Sequence, residues 1–322
     1  MKKLLVRIAT ATMMMTLIAV VASCGKNRSF KLEKDGDVEF MLELDTQEQV
    51  QATLEQTVDI LRTRLSEAGY EFNIDMHDSK PLIVVVGHEL TDDERLRQMR
   101  QSLVSSGLLE FWENYDGQGL YADMEALSQE YDDLLLGNLL QGTFYQGTAS
   151  VGYANVSDTA AVNAIINSER GRRMLPLDLR LLWGAKPLPA EWGVNGGTET
   201  LELFAIRAVP NEKPKIDGHS IVSAKVEKGY NDEPVISIEM NTLGARLWAD
   251  MTRNNVGHSI AMVIDGAVLS APRVNSEIVG GRSQITGNFT LDELKQLAAS
   301  INATPLPVPV RIISERGYQS SR

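Results

Sequence analysis

This sequence has few cysteines and histidines, and its acidic residues outnumber its basic ones. Cys24 is its only cysteine, which excludes an intrachain disulfide framework and a metal site built from several thiolates. Four histidines occur, and no two of them have the spacing of a helical zinc motif: His77, His88, His219 and His258. The net charge is −12 at pH 7, whereas nucleic-acid binding requires lysine and arginine side chains opposite the phosphates. We therefore predict no metal site and no nucleic-acid partner.

Sequence motifs of known catalytic sites are also lacking. No GxSxG nucleophile elbow occurs. Gly280, Gly281 and Gly287 do not have the spacing of a phosphate-binding P-loop, and the Lys-Ser/Thr pair of that loop is missing. With no convergent nucleophile, base or metal set, the sequence predicts a protein that is not an enzyme and uses no cofactor.

One long apolar run is present, and it lies at the N-terminus. Lys2, Lys3 and Arg7 precede the mostly apolar residues 8–23, which is the pattern of a secretory signal and is shorter than the ~20 residues of a membrane-spanning helix. The run ends in Val-Ala-Ser-Cys, which resembles the lipobox of bacterial lipoproteins. We interpret residues 1–23 as a lipoprotein signal peptide and Cys24 as the lipidated residue. The alternatives are an uncleaved anchor and an ordinary signal peptide.

These N-terminal features predict a location outside the cytoplasm. Acyl chains on Cys24 would anchor the protein durably, because each buried CH2 contributes about 0.8 kcal/mol. The polar residues 24–37 are expected to form a tether between the lipid and the folded part. We expect a protein on the periplasmic side of a bacterial membrane, anchored by lipid, with the outer membrane favoured over the inner one.

The first folded region follows the tether. Val38, Phe40, Leu42 and Leu44 alternate with mostly polar neighbours, which predicts a half-buried strand. Apolar residues then recur every three or four positions in two segments, which indicates two amphipathic helices. Residues 108–112 are predicted to form the last strand. The resulting order βαββαβ predicts a ferredoxin-like base over residues 38–115, within an α+β fold.

Three further regions are predicted after the base. Residues 116–215 form a helical or mixed middle region, and residues 216–304 form an α+β head. Within the head, Asp265-Gly266 stands between two apolar strands, which predicts a type I′ hairpin. The proline-rich closing segment, residues 305–322, is expected either to return to the base as an edge strand or to act as a hinge.

Several motifs resemble the first periplasmic domain of the SecD and SecDF protein-export factors. Residues 57–69 and 108–112 resemble the beginning and the closing strand of its base. One middle motif is similar to the fused SecDF proteins of Bacteroidetes, namely residues 183–187. The other motifs lie in the second half of the chain: residues 261–266, 270–272, 285–290 and 306–309. This resemblance implies a ferredoxin-like base, a SecD-type head that engages exported polypeptide, and a transmembrane bundle that couples movement to proton flow.

The chain also departs from that family. The Asp-Leu-x-Gly-Gly pattern expected before the base is missing, and Ala303-Thr304-Pro305 replaces the usual glycine before the Leu-Pro step. The sequence ends at Arg322, where the bundle is expected to begin. We therefore expect a lipoprotein form of the domain that lacks the bundle and is not a complete proton-driven motor.

The sequence thus favours a SecD-like accessory of protein export without enzymatic activity. The expected partners are exported unfolded polypeptide or subunits of the Sec translocon, besides the membrane that holds the lipid. Asp265 and Gly266, at the tip of the head hairpin, are the predicted partner-binding residues. The alternative function is a structural or regulatory outer-membrane lipoprotein that uses the same fold to bind a different protein.

Overall fold

The computed structural model describes residues 32–46, 51–77, 81–131, 139–188, 199–208, 213–229 and 232–318. The predicted signal peptide, Cys24 and most of the tether lie outside these residues. Within the described ranges, none of the helices combines the length and the apolar character that crossing a membrane demands. The same ranges contain no cluster of three or more His, Cys, Asp or Glu side chains suited to a metal ion.

The base is a four-stranded antiparallel sheet covered on one face by two helices. Its elements are β1 (Val38–Leu44), α1 (Gln51–Glu67), β2 (Phe72–Met76), β3 (Leu82–Gly87), α2 (Asp93–Val104) and β15 (Val310–Gly317). The strand order is β15-β1-β3-β2. Phe40 and Leu42 on β1 are fully buried against Leu61 of α1 and Leu103 of α2. The alternation in β1 therefore places its large apolar side chains in the core, as the sequence predicts.

The fourth strand of this sheet is not the one that the sequence predicts. Residues 108–112 were expected to close the base, and that expectation is wrong, because β4 (Leu109–Glu113) belongs to another sheet. The closing segment takes its place, with β15 antiparallel to β1. Phe111 and Trp112 explain the difference, since they point to opposite faces of β4 and both are buried. An edge strand of the base has one face open to solvent and cannot bury both.

The described part of the head contains two sheets and two helices. Its elements are β4, β9 (Ile216–Asp217), β10 (Ile221–Lys228), β11 (Pro234–Met240), α6 (Thr242–Asn254), β12 (Ile260–Ile264), β13 (Ala267–Ser270), β14 (Arg282–Ile285) and α7 (Leu291–Asn302). The strand orders are β13-β12-β4-β9 and β10-β11-β14. Phe111 and Trp248 meet edge to face in the core between the sheets and α6. Thr290 and Glu293 form the capping box that their spacing predicts at the start of α7.

The middle region is a second α+β unit. Its elements are α3 (Tyr121–Glu130), β5 (Gln141–Gly142), β6 (Ser150–Asn155), α4 (Thr159–Ile166), α5 (Glu169–Met174), β7 (Leu179–Trp183) and β8 (Thr200–Arg207). The sheet order is β5-β6-β8-β7. Leu203 and Ala205 of β8 are in the core with the helices, whereas Ile206 packs against Trp112 of the head. The middle sheet therefore rests on the outer face of the head sheet.

Candidate functional site: a groove between the head and the middle region

The predicted partner-binding hairpin lies at the junction of head and base. Asp265 and Gly266 both have positive φ, 50° and 78°, as a type I′ turn requires. The hydroxyl of Ser105 donates to Oδ2 of Asp265 at 2.6 Å, and the backbone N–H of Ser106 donates to Oδ1 at 2.8 Å. The carboxylate of Asp265 is thus bound to the C-terminal end of α2. Partner binding through this turn stays a prediction.

A buried arginine reinforces this junction from inside the base. The side chain of Arg64 is fully buried, and its Nη1 donates to the carbonyl oxygens of Ser102 at 3.0 Å and Ser105 at 2.5 Å. Burial lowers the pKa of Arg64 to about 10, while the nearby charge of Asp265 raises it. Arg64 therefore stays cationic at neutral pH and holds the last carbonyls of α2, where a helix leaves its acceptors unpaired.

A groove of about 410 Å³ opens between the head and the middle region. It is lined by parts of three motifs that carry the family resemblance, residues 183–187, 270–272 and 285–290. Phe204, Leu188 and Phe289 give its walls apolar surface. The volume is typical of a ligand-binding cleft. The sequence did not predict this groove, because residues 183–187 are remote in sequence from residues 270–272 and 285–290 and show no local signal of meeting them.

Backbone hydrogen bonds fix one wall of the groove. After β7 the chain passes between β8 and β13: the N–H of Gly184 donates to the carbonyl of Glu202, and the N–H of Ala185 donates to that of Val268, both at 2.8 Å. On the opposite wall Gly147 has a φ of 78°, and a Cβ there would lie 2.8 Å from the carbonyl oxygen of Gly257. The close approach therefore requires glycine at this position.

Glu202 places a carboxyl group on the groove wall. It shares one face of β8 with Phe204, two residues further along the strand. Burial raises the pKa of Glu202, and hydrogen bonds with the side chains of Ser150 and Tyr153 oppose that rise only in part. A perturbed carboxyl group in a cleft is a candidate for a binding role.

Part of the chain matches a known protein family. Residues 203–308 match the family model described as SecDF, P1 head subdomain. Over these residues the chain is similar to the head subdomain of SecDF. The matched residues run from β8 to just beyond α7, so they begin before the head predicted from residue 216 and include the Phe204, Val268 and Phe289 walls of the groove. The resemblance that the motifs indicated is confirmed.

The relatives of the SecD-like chain are named protein translocase subunit SecD. The protein of Rhodothermus marinus is 28% identical over 302 residues, which cover 84% of this chain and 47% of the relative. That of Rickettsia bellii is 39% identical over 108 residues, 34% of this chain and 21% of the relative. That of Dictyoglomus turgidum is 41% identical over 129 residues, which cover 38% of this chain and 32% of the relative. The chain thus spans about half or less of the length of these relatives.

A solved structure of SecDF in its super-membrane-facing form shares the fold. The two chains superpose with a TM-score of 0.51 at 18% identity, over 88% of this SecD-like chain and 30% of the other. The α+β class predicted from the sequence is confirmed by this match.

Proposed function

We propose that this SecD-like protein is a lipid-anchored, non-enzymatic accessory of protein export on the periplasmic side of a bacterial membrane. Exported unfolded polypeptide, or a segment of the Sec translocon, binds in the groove between the head and the middle region. The observation that carries this proposal is the meeting of residues 183–187 with two family motifs from a remote part of the sequence, 270–272 and 285–290, in one cleft.

The shape of the groove suits an extended polypeptide. β13 and β14 each form one edge of a head sheet, and the segments that follow them both line the groove. At Val268 the backbone of Gly184 and Ala185 already covers the outer edge of β13. An extended peptide binds such sites through its backbone at strand edges and through side chains in adjacent apolar pockets. Without an energy source, such a site acts by holding the bound segment and so shifting the equilibrium between its positions.

The base holds the groove away from the anchor. Val38 and Gly317 are paired at one end of β1, where the tether enters the sheet. The head is bound at the other end of the base, through Ser105 and Asp265. A strand of seven residues spans roughly 23 Å at about 3.3 Å per residue. A lipid on Cys24 would therefore hold the protein at the membrane while the groove faces the periplasm.

In-cell photo-crosslinking tests the groove. With a photoreactive residue in place of Asn288, which is exposed on the groove rim, we expect adducts with exported polypeptides or with translocon subunits. The matched control carries the same residue in place of Ser66, exposed on α1 of the base. Equal adducts from both positions, or none from Asn288, would contradict the proposal. Adducts with a single outer-membrane protein would support the alternative of a structural or regulatory lipoprotein.

The Cys24→Ser variant tests the anchor. Serine offers no thiol for acylation, so we expect the variant to incorporate no labelled fatty acid and to leave the membrane fraction for the soluble one or to accumulate as a precursor. Cell fractionation and fatty-acid labelling measure this, and Ser29→Ala serves as the neutral control. If the serine variant is processed and labelled as the parent protein is, Cys24 is not the lipidated residue.

A further inference from the structure

We infer that the groove selects extended segments that carry a lysine or arginine, whose cationic group pairs with the carboxylate of Glu202. This inference rests on the proposed function and names the class of polypeptide that the same site takes. It follows from the position of Glu202 and from the charges around it.

Glu202 lines the groove beside several apolar side chains. It lies on the β8 face that includes Phe204, and Leu188 and Val268 line the same groove. The polar side chains beside it are those of Ser150 and Tyr153, which hydrogen-bond with it but carry no charge at neutral pH. A carboxylate that has lost much of its hydration in this way gains more from a cationic partner than an exposed carboxylate does.

The other charged groups of the groove do not neutralise Glu202. Lys186 forms an ion pair with Glu293, which also lies 3.3 Å from the guanidinium of Arg97. Arg273 lies against the backbone of Gly147, where a Cβ would be 2.9 Å from its Cζ atom. Neither Lys186 nor Arg273 is among the causes of the shifted pKa of Glu202. Among the residues that the structure describes, Glu202 has no salt-bridge partner.

Peptide binding in vitro tests the charge preference. Three fluorescent peptides share an extended apolar sequence and differ at one central position, which is lysine, glutamine or glutamate. We expect the folded protein to bind the lysine peptide about tenfold more tightly than the glutamine peptide, and the glutamate peptide most weakly. In Glu202→Gln the preference for lysine should disappear. Fluorescence anisotropy titrations measure the affinity of each peptide for three proteins: the parent, Glu202→Gln and Glu199→Gln.

Glu199→Gln is the matched control, because Glu199 is exposed, does not line the groove and undergoes the same change of charge. It should keep the preference for lysine. If Glu202→Gln keeps it too, the preference comes from the net acidity of the protein and the inference is wrong. Equal binding of all three peptides also overturns the inference but leaves the proposed function standing. Absence of binding by every peptide contradicts the proposed function itself.

The thermal stability of Glu202→Gln shows whether a loss of peptide preference reflects the lost charge or a damaged fold. Burial raises the folded-state pKa of Glu202 above its ordinary value of 4.5, so the stability that this group contributes is complete below that value and is lost as the pH rises through the folded-state pKa. Glutamine carries no charge, so the variant should unfold at an equal or higher temperature than the parent near neutral pH. The difference should shrink as the pH approaches 4.5. A variant less stable than the parent near neutral pH would show that the charged carboxylate supports the fold, against the inference.

Discussion

Replacing Arg64 with methionine is expected to lower the free energy of unfolding by about 2–6 kcal/mol, because two buried carbonyl groups lose their donor and each such loss costs about 1–3 kcal/mol. Arg64 is fully buried and donates to the carbonyl oxygens of Ser102 and Ser105. Methionine fills part of the volume but donates no hydrogen bond. The buried carbonyl groups would then be left without the donors that replace water.

The effect of Arg64→Met should extend beyond the base. Ser105, whose carbonyl binds Arg64, also donates through its hydroxyl to Asp265 of the head. Loosening the end of α2 should therefore increase hydrogen exchange at the 265–266 turn as well as in α2. Urea unfolding measures the loss of stability, and hydrogen exchange measures its distribution.

Arg62→Met is the matched control for this experiment. Arg62 lies on the same helix, is half exposed and pairs with Asp59, so its replacement should cost less than about 1 kcal/mol. Similar losses from the two variants would contradict the assigned role of Arg64. A large loss from Arg64→Met without increased exchange at the hairpin would show that base and head are not coupled through α2.

Ending the chain after Pro309 is expected to unfold the base. β15 pairs with β1 from Val38 opposite Gly317 to Leu44 opposite Val310, and Val310 belongs to the core of the base. Removing β15 exposes the whole edge of a central strand together with the apolar side chains beneath it. Limited proteolysis should then cut within residues 38–104, and circular dichroism should show loss of strand and helix signal.

The control for this truncation ends the chain after Tyr318. Every residue of β15 is retained, so protease resistance should equal that of the parent protein. If the chain that ends after Pro309 is equally resistant, the base does not depend on β15 for its stability.

Local structure was predictable where neighbouring residues determine it. The alternation from Val38 to Leu44 indicated β1, and Thr290 with Glu293 indicated the start of α7. For α2 the sequence was misleading: Thr91 and Glu94 have the spacing of a capping box, but the N-cap of the helix is Asp92. Thr91 and Asp92 are both good caps, and only the backbone path into the helix decides between them.

Long-range pairing was not predictable in the same way. Two segments, β4 and β15, were both candidates for the free edge of β1. β4 joins the head sheet because both of its faces bear a large apolar side chain. Phe111 packs in the head core, and Trp112 packs against the middle region. β15 has mostly exposed side chains and suits an edge position. Burial on both faces is visible only when all the layers are assembled.

The groove illustrates the same limit for function. The individual motifs indicated the family, but neither their spacing nor their composition showed that residues 183–187, 270–272 and 285–290 would meet. Glu202 was overlooked, because an acidic residue within an apolar strand carries no motif. The one available signal was the placement of a charge on the same face as Phe204.

The sequence by itself predicted the hairpin turn at Asp265, the capping box at Thr290, the family resemblance and the candidate lipidation site at Cys24, because each depends on a few neighbouring residues. The tertiary structure decided which strand completes the base, that Asp265 binds the end of α2, and that a carboxyl group stands without a salt-bridge partner among the described residues in an apolar groove. The reason is physical. Backbone conformation follows from short-range sterics and hydrogen bonding, whereas strand partners and buried charges follow from the surfaces that remote segments cover when they pack together.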